Sequence, residues 1–456
     1  MLVTVTDPDG AAAADVGILV FKADLSSATW SARATTGPDG VAVFRNMPEA
    51  VHVSVSAPLG DGYGQGDAGN FFSRGNVTVA QTGSTTFPVT LPYTPAMAVF
   101  PASVAASSLN ADRSELDLHL TLAFPSGVNV TDYTLYPCTV TCIARRVNAD
   151  GTHAEIQVRQ QQAPDRNRIR IPAPVTVAPG APYSALLLLD QGRRMADEDL
   201  AQWRLPAARR FIRRARETDR IAVGGFAGSD AALNLPPLLP QLPLWLAAPF
   251  GTDRPALEAA AAALTPMVGG ASPVLNALHA ATDEIAQLAP TGRRALVALV
   301  GGDDDSGLDD PQWLTQAMSL RQKQASLDIH SILVPADSRF YWSSSSRDAN
   351  NNLTTTVHPN KWQLDQLARL AAILDAPLIY SLGSYGKAAG LKVGQLDMAA
   401  HLLASQVLRH EIDIHVTATS PGAFASGSTL LLPINIYNGV WDGYWDRDFY
   451  AVAKIP

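Results

Sequence analysis

The residues best placed for chemistry fall in three short segments. An uninterrupted apolar run, Ala185 to Leu189, stops on Asp190, and small residues lead from there through Gly192 and Arg194 to Met195. A second segment, Val268-Gly-Gly-Ala-Ser-Pro273, places Ser272 just ahead of a helix-like stretch. In the third, the apolar run Ala295 to Val300 ends in Gly301-Gly-Asp-Asp-Asp-Ser-Gly307. A run that is apolar on both faces reads as a strand in the middle of a parallel sheet. An acid at the carboxyl end of such a strand lies where doubly wound sheets bind their ligands. Asp190, Ser272 and Asp303 thus bring two acids and a hydroxyl to the ends of these segments. Asp303, Asp305 and Asp309 alternate around Gly307 and make a candidate Ca²⁺ loop. The competing reading is a solvated acidic loop in which Asp309 or Asp310 caps a helix that begins at Pro311.

Catalysis finds little support. The chain has nine His, none in a His-Glu-x-x-His arrangement, and it has no Gly-x-Ser-x-Gly elbow, phosphate-binding loop or dinucleotide fingerprint. No spacing singles out a carboxylate pair, so the expectation is no enzyme and no catalytic residue. An unrecognised active site stays open as a rival, to be tested at Asp303 and His279.

The elements that must position these residues follow from length and patterning. A chain of 456 residues forms two to four domains. A formal net charge of -8 argues against a nucleic-acid partner, which favours a basic face. Met1-Leu2-Val3-Thr4-Val5 is already strand-like, so no signal peptide is read. The longest apolar stretch, Ala231 to Phe250, is broken by five prolines and cannot be a membrane helix. The chain is therefore expected not to insert in a membrane. Cys138 and Cys142 are the sole cysteines, too few for a disulfide framework, and whether they bond to each other depends on the turn between them.

Residues 1–93 read as an all-β domain of short alternating segments joined by turns such as Gly37-Pro-Asp-Gly40. Residues 96–182 form a second β-rich stretch. Residues 183–410 alternate helix and buried strand, the α/β signature. Strands then return from 411 to 456. These leftover strands need a sheet, so 411–456 is expected to complete a second β-sandwich begun by 96–182, with 183–410 inserted in it. A separate C-terminal β-unit is the rival arrangement. The fold class is therefore multidomain, a doubly wound α/β domain combined with two all-β sandwiches.

Asp190 to Met195, Gly269 to Pro273 and Val300 to Gly307 together resemble the three ion-binding loops of the von Willebrand factor A domain. The first loop of that family reads Asp-x-Ser-x-Ser-Met. Here Gly192 and Arg194 replace both serines, and aligned without a gap Gly302 stands at the third-loop aspartate; only a one-residue shift puts Asp303 there. The resemblance implies a degenerate site whose oxygen ligands would be Asp190, Ser272 and Asp303, with a metal-free interaction surface favoured over bound Mg²⁺ or Ca²⁺. Arg194 would place a fixed positive charge near the site. Thr36 to Pro48 resembles the transthyretin-like modules called carboxypeptidase-regulatory or Cna-B repeats, which implies a spacer sandwich. Two insertions are expected on the same face as the loops and are candidate ligand contacts. One is the proline-rich run 234–250 with Trp245; the other, 338–347, carries Phe340, Tyr341 and Trp342. Together these imply a non-catalytic binding or adhesion protein at the bacterial surface or outside the cell. Its partner would be a protein or a polymer. The alternative is a structural subunit of a surface filament, partnered by copies of itself.

Overall fold

The computed structural model describes residues 1–6, 12–13, 16–22, 31–56, 71–80, 84–90, 100–125, 133–136, 142–161, 169–170, 180–192, 195, 204–228, 244–264, 270–302, 304–335, 341–347, 353–359, 365–377, 391–404, 407–438 and 447–456. Two units make up the chain, Met1–Met97 with Ala389–Leu391, and Ala98–Ala388 with Lys392–Pro456.

The first unit holds β1 (Leu2–Thr6), β2 (Gly17–Lys22), β3 (Ser31–Thr35), β4 (Val41–Val43), β5 (Ala50–Ser56), β6 (Phe71–Thr78) and β7 (Thr86–Thr90). Valine and isoleucine at alternate positions give β1 and β2 one buried face each, as period-2 geometry requires. Two sheets result, ordered β4-β1-β7 and β3-β2-β5-β6. Val3, Val5, Ile18, Val20, Val51, Val53 and Val55 belong to one shared core. The Thr36–Gly40 motif has a physical reason. Thr36 is buried, its hydroxyl donates to the Ala13 carbonyl at 2.7 Å and accepts from the Val16 amide at 2.9 Å. Gly40 turns at φ +72°, and a Cβ there would lie 2.4 Å from the Val5 carbonyl oxygen. The sequence reading missed β3, whose Ser-Ala-Arg-Ala-Thr lacks a buried apolar face.

The second unit opens with β8 (Phe100–Leu109), β9 (Glu115–Pro125), β10 (Tyr133–Tyr136), β11 (Cys142–Val147), β12 (His153–Gln161) and β13 (Ile169–Arg170). Cys142 opens β11, and Cys138 lies outside the described residues. The chain then enters an α/β segment. It comprises β14 (Tyr183–Asp190), α1 (Arg204–Arg214), β15 (Arg220–Phe226), β16 (Leu244–Gly251), α2 (Arg254–Ala262), α3 (Val274–Leu288) and β17 (Arg293–Val300). It continues through α4 (Asp310–Leu327), β18 (Ile329–Pro335), β19 (Tyr341–Arg347), β20 (Leu353–Pro359), α5 (Asp365–Leu374) and α6 (Leu391–Ala404). The five-stranded sheet runs β16-β15-β14-β17-β18, parallel except for the antiparallel edge strand β16. After α5, the Pro377 carbonyl accepts from the Leu333 amide of β18. The α/β pattern read as far as 410 stops earlier: the last helix ends at Ala404, and a strand begins at Val407.

Strands β21 (Val407–Ala418), β22 (Thr429–Asn438) and β23 (Arg447–Lys454) complete the fold. They join β8–β13 in one nine-stranded sheet, ordered β11-β12-β21-β9-β8-β23-β22-β10-β13. Because β11 pairs with β12 on one side and with β22 on the other, this sheet closes on itself instead of splitting into the two layers of a sandwich. Leu116, Leu118, Leu120 and Leu122 of β9 and Ile412, Ile414 and Val416 of β21 are buried; Asp117, His119, Asp413 and His415 alternate with them on the opposite face. Arg369 of α5 ties the α/β segment to this sheet. It donates to the Gly151 carbonyl in the β11–β12 turn, pairs with Asp310 at 2.6 Å and covers the Trp313 ring at 5.1 Å.

Candidate functional site

All eight residues of β14 are buried between β15 and β17, which explains why the Ala185–Leu189 run carries no polar face. The chain leaves β14 for β15 on one side and later returns to β17 on the other. The carboxyl ends of β14 and β17 therefore flank the topological switch point, where doubly wound sheets form a crevice. Asp190 ends β14, and Gly301 follows β17.

At this point the loops close on one another. Asp190 Oδ1 accepts from the Gly192 amide at 2.7 Å and from the Ser272 hydroxyl at 3.0 Å, while Oδ2 accepts from the Gly301 amide at 2.8 Å. Backbone bonds add to the seam. Gln191 N donates to Phe226 O, Gly228 N to Ala271 O, and Asp305 N to Ser272 O. Asp190 is fully buried, and burial pushes its carboxyl up to about 6; the bonds from Gly192, Gly301 and Ser272, and the positive charge of Arg204, pull the other way. Arg204, the first residue of α1, is itself wholly buried and donates to the Gln191 side-chain oxygen at 3.0 Å.

Among the described residues, the first loop departs from the pattern of an ion site. A Cβ built at Gly192 would lie 2.1 Å from the Ser272 hydroxyl and 2.9 Å from the Ala271 carbonyl, so the loop has no room for the serine an ion site would use. Asp190 and Ser272 bond to each other, and the Gly192 and Gly301 amides donate to the same carboxylate. Among the described residues, no three His, Cys, Asp or Glu gather as a metal group. Asp303 and Arg194 lie outside the described residues.

The candidate Ca²⁺ loop is shared between two helix starts. Asp304 accepts from the Leu275 amide at 3.2 Å at the start of α3 and from the Ser306 hydroxyl; burial pushes its pKa up. Asp309 is the N-cap of α4, accepting from the Gln312 amide at 2.8 Å within a capping box. Asp305 contributes the backbone bond to Ser272 already noted. His279 of α3 bonds through Nε2 to the Gln316 carbonyl, and burial lowers its pKa.

The aromatic insertions need correction. Trp245 was expected on an exposed loop; it lies in β16, 3% exposed and within the α/β core. Gly225 makes that packing possible, since a Cβ there would come 2.6 Å from the indole. Five prolines hid this strand, four of them preceding its first residue, Leu244. The run 338–347 is not an open loop over its second half. Tyr341–Arg347 pairs antiparallel with Leu353–Pro359, with Tyr341 opposite Pro359 and Trp342 opposite His358. Phe340 lies outside the described residues.

Sequence reasoning missed Gln191, Arg204 and Gly301. Gly301 had a signal, a small residue at a strand's carboxyl end; Arg204 had none within an arginine-rich helix.

A second polar cluster lies on the outer face of the closed sheet. Asp-x-His occurs on both β9 and β21, and the antiparallel register sets His119 opposite Asp413 and Asp117 opposite His415. His119 Nδ1 is 2.9 Å from Asp413, and His415 Nδ1 is 2.7 Å from Asp117. The Ser108 hydroxyl, which also bonds Asp117, is the largest influence holding that carboxyl below its usual range, with His415 next.

No protein-family model matches the chain, and no curated protein matches it. Among solved structures, the chain is similar to an aerotolerance-related membrane protein from Bacteroides fragilis, at 17% identity and TM-score 0.30, over 48% of this chain and 99% of that one. It is similar to a von Willebrand factor type A protein from Catenulispora acidiphila, at 11% identity and TM-score 0.33, over 78% of this chain and 72% of that one. It is also similar to the pilus adhesin SpaC from Lactobacillus rhamnosus GG, at 8% identity and TM-score 0.34, over 76% of this chain but 46% of that one. Likeness at these values assigns no family.

Proposed function

We propose that this chain is a non-catalytic binding protein of the bacterial exterior that recognises a protein or polymer through the loops at the carboxyl end of its α/β sheet. One observation carries the reading: the acid at the switch point is wholly buried and its carboxylate is bonded by three protein donors. A group so enclosed serves neither as a general base nor as a ligand to substrate, because both tasks need reach to a reacting atom. What remains for recognition is the surface of the surrounding loops, including the acidic turn from Asp304 to Asp310.

The test is retention of the full chain on immobilised collagen, fibronectin and cell-wall polysaccharide by biolayer interferometry, beside light scattering at rising concentration and a hydrolase activity screen. Saturable retention on one surface, by a protein that stays monomeric and turns nothing over, supports the reading. Self-association with no retention moves the chain to the structural-subunit alternative. Turnover lost in Asp303→Asn or His279→Ala would make it an enzyme.

A further inference from the structure

We propose that the base of the α/β sheet, the end opposite Asp190, holds a small monoatomic anion, chloride, bound by the Tyr183 hydroxyl and the Arg254 guanidinium. The site is separate from the rim that the proposed function invokes and does not rest on that reading.

The site is built around the turn that follows α1. Asp219 is wholly buried and accepts three bonds from Arg216, from its amide and Nε at 2.9 Å and from Nη2 at 2.8 Å. It also accepts from the Tyr183 amide at 3.2 Å. Its negative charge is therefore matched by Arg216. Arg254, the first residue of α2, bonds to the same turn, its Nη2 donating to the Arg216 and Asp219 carbonyls. Its other terminal nitrogen, Nη1, is buried and has no protein acceptor. Tyr183 opens β14 beside Arg293 of β17, with the Arg216 guanidinium 5.9 Å from its ring. Tyr183 is 2% exposed, and its hydroxyl also lacks a partner.

Two buried polar atoms around one turn thus lack the same thing. A guanidinium nitrogen can only donate and a phenol hydroxyl has a proton to give, so the group that completes them is an acceptor. Charge gives its sign. Arg216, Arg254 and Arg293 bring three guanidinia, and Asp219 is the one carboxylate bonded to them among the described residues. Arg254 and Arg293 hydrogen-bond to backbone carbonyls alone. A buried cation without a negative partner is costly, and an anion offsets that cost. Burial, and next the Asp219 charge, push the Tyr183 phenol up, so it stays a protonated donor; Arg254, Arg216 and Arg293 pull the other way, all three acting at one point. Neither orphaned atom is open to solvent, so the ligand is a single atom and not a tetrahedral oxyanion. Arg254 as a whole is half-buried, and the way in passes its side chain.

The experiment compares thermal unfolding of the full chain with that of its Tyr183→Phe variant. Both are measured in sodium gluconate, then with gluconate replaced stepwise by chloride, bromide or sulfate at fixed ionic strength. The difference between the two proteins is the readout, because general salt effects act on both. In gluconate, Tyr183→Phe is expected to melt no lower than the unsubstituted protein, since it removes a buried hydroxyl that has no partner. Chloride and bromide are expected to raise the unsubstituted protein above the variant by a few degrees, saturably, and sulfate is not. Arg254→Gln is expected to lose the same response. Should it fail to fold, a bromide-soaked crystal of the unsubstituted protein gives the second readout, an anomalous peak within hydrogen-bond reach of Tyr183 Oη and Arg254 Nη1. A difference that does not depend on the anion, the result for an ordered water only, overturns the proposal. So does an equal response to sulfate, or a bromide-soaked crystal without that peak.

Discussion

Asp190 and Asp117 are both carboxylates bonded by a serine hydroxyl, yet their environments push them in opposite directions. Asp117 stands on the outer face of the closed sheet, where the bonds from Ser108 and His415 outweigh a small loss of hydration and its pKa falls. Asp190 has three donors and a positive neighbour, and its pKa still rises to about 6, because complete burial costs the charged form more than those bonds return. Hydrogen-bond inventory alone therefore does not set the protonation of a carboxylate. Depth sets it, and the same contrast separates a structural tie from a surface pair.

The largest effect expected from this contrast is on Asp190→Ala. It leaves the Gly192 and Gly301 amides and the Ser272 hydroxyl without their acceptor. We expect a loss of about 3–5 kcal/mol, the range for breaking a buried charged network, measured by urea unfolding. A loss below about 1 kcal/mol, the surface-pair range, would erase the distinction between the two sites.

The pH dependence comes next. The folded-state pKa of Asp190, about 6, lies above its ordinary value of 3.8. The folded state therefore holds the proton more tightly than the unfolded chain does. Its contribution to stability is complete below about 3.8 and is lost as pH rises through about 6. Between pH 7 and pH 4 this amounts to about 2 kcal/mol. Stability of the unsubstituted protein minus that of Asp190→Asn, followed across this window, should grow on acidification. A constant difference would show that the carboxyl does not titrate there. Asp117 has the opposite sign. Its depressed pKa gives a contribution present at neutral pH and lost as pH falls through the lowered value.

The smallest effect belongs to Asp117→Asn. The pair is half-exposed, so solvent screening holds its worth below about 1 kcal/mol. A melting shift as large as that of Asp190→Ala would mean that the outer face of the sheet is covered in solution.

Much of the scaffold was legible because it is local. The buried run ending at Asp190 reads as β14 from its unbroken apolar stretch, and β17 and β18 read the same way. Asp309 before Pro311, with Gln312 three residues on, spells a helix start, and the capping box is there. Failures occurred where local signals mislead. Prolines ahead of Leu244 disguised an edge strand, and the one inside it, Pro249, is tolerated because the strand has pairing on one side only. Trp245 read as exposed because its cover, Gly225 and the core beside it, comes from a neighbouring strand.

The sequence by itself determined where the apolar periods run, where helices begin, and that an acid would end a buried strand. Tertiary structure alone decided what that acid does. Its partners Ser272 and Gly301 are 82 and 111 residues away, and Arg204 carries no local mark. Periodicity reports the face a residue turns to the core; it does not report which donors arrive there, how deep the site lies, or whether a cation still has room between them.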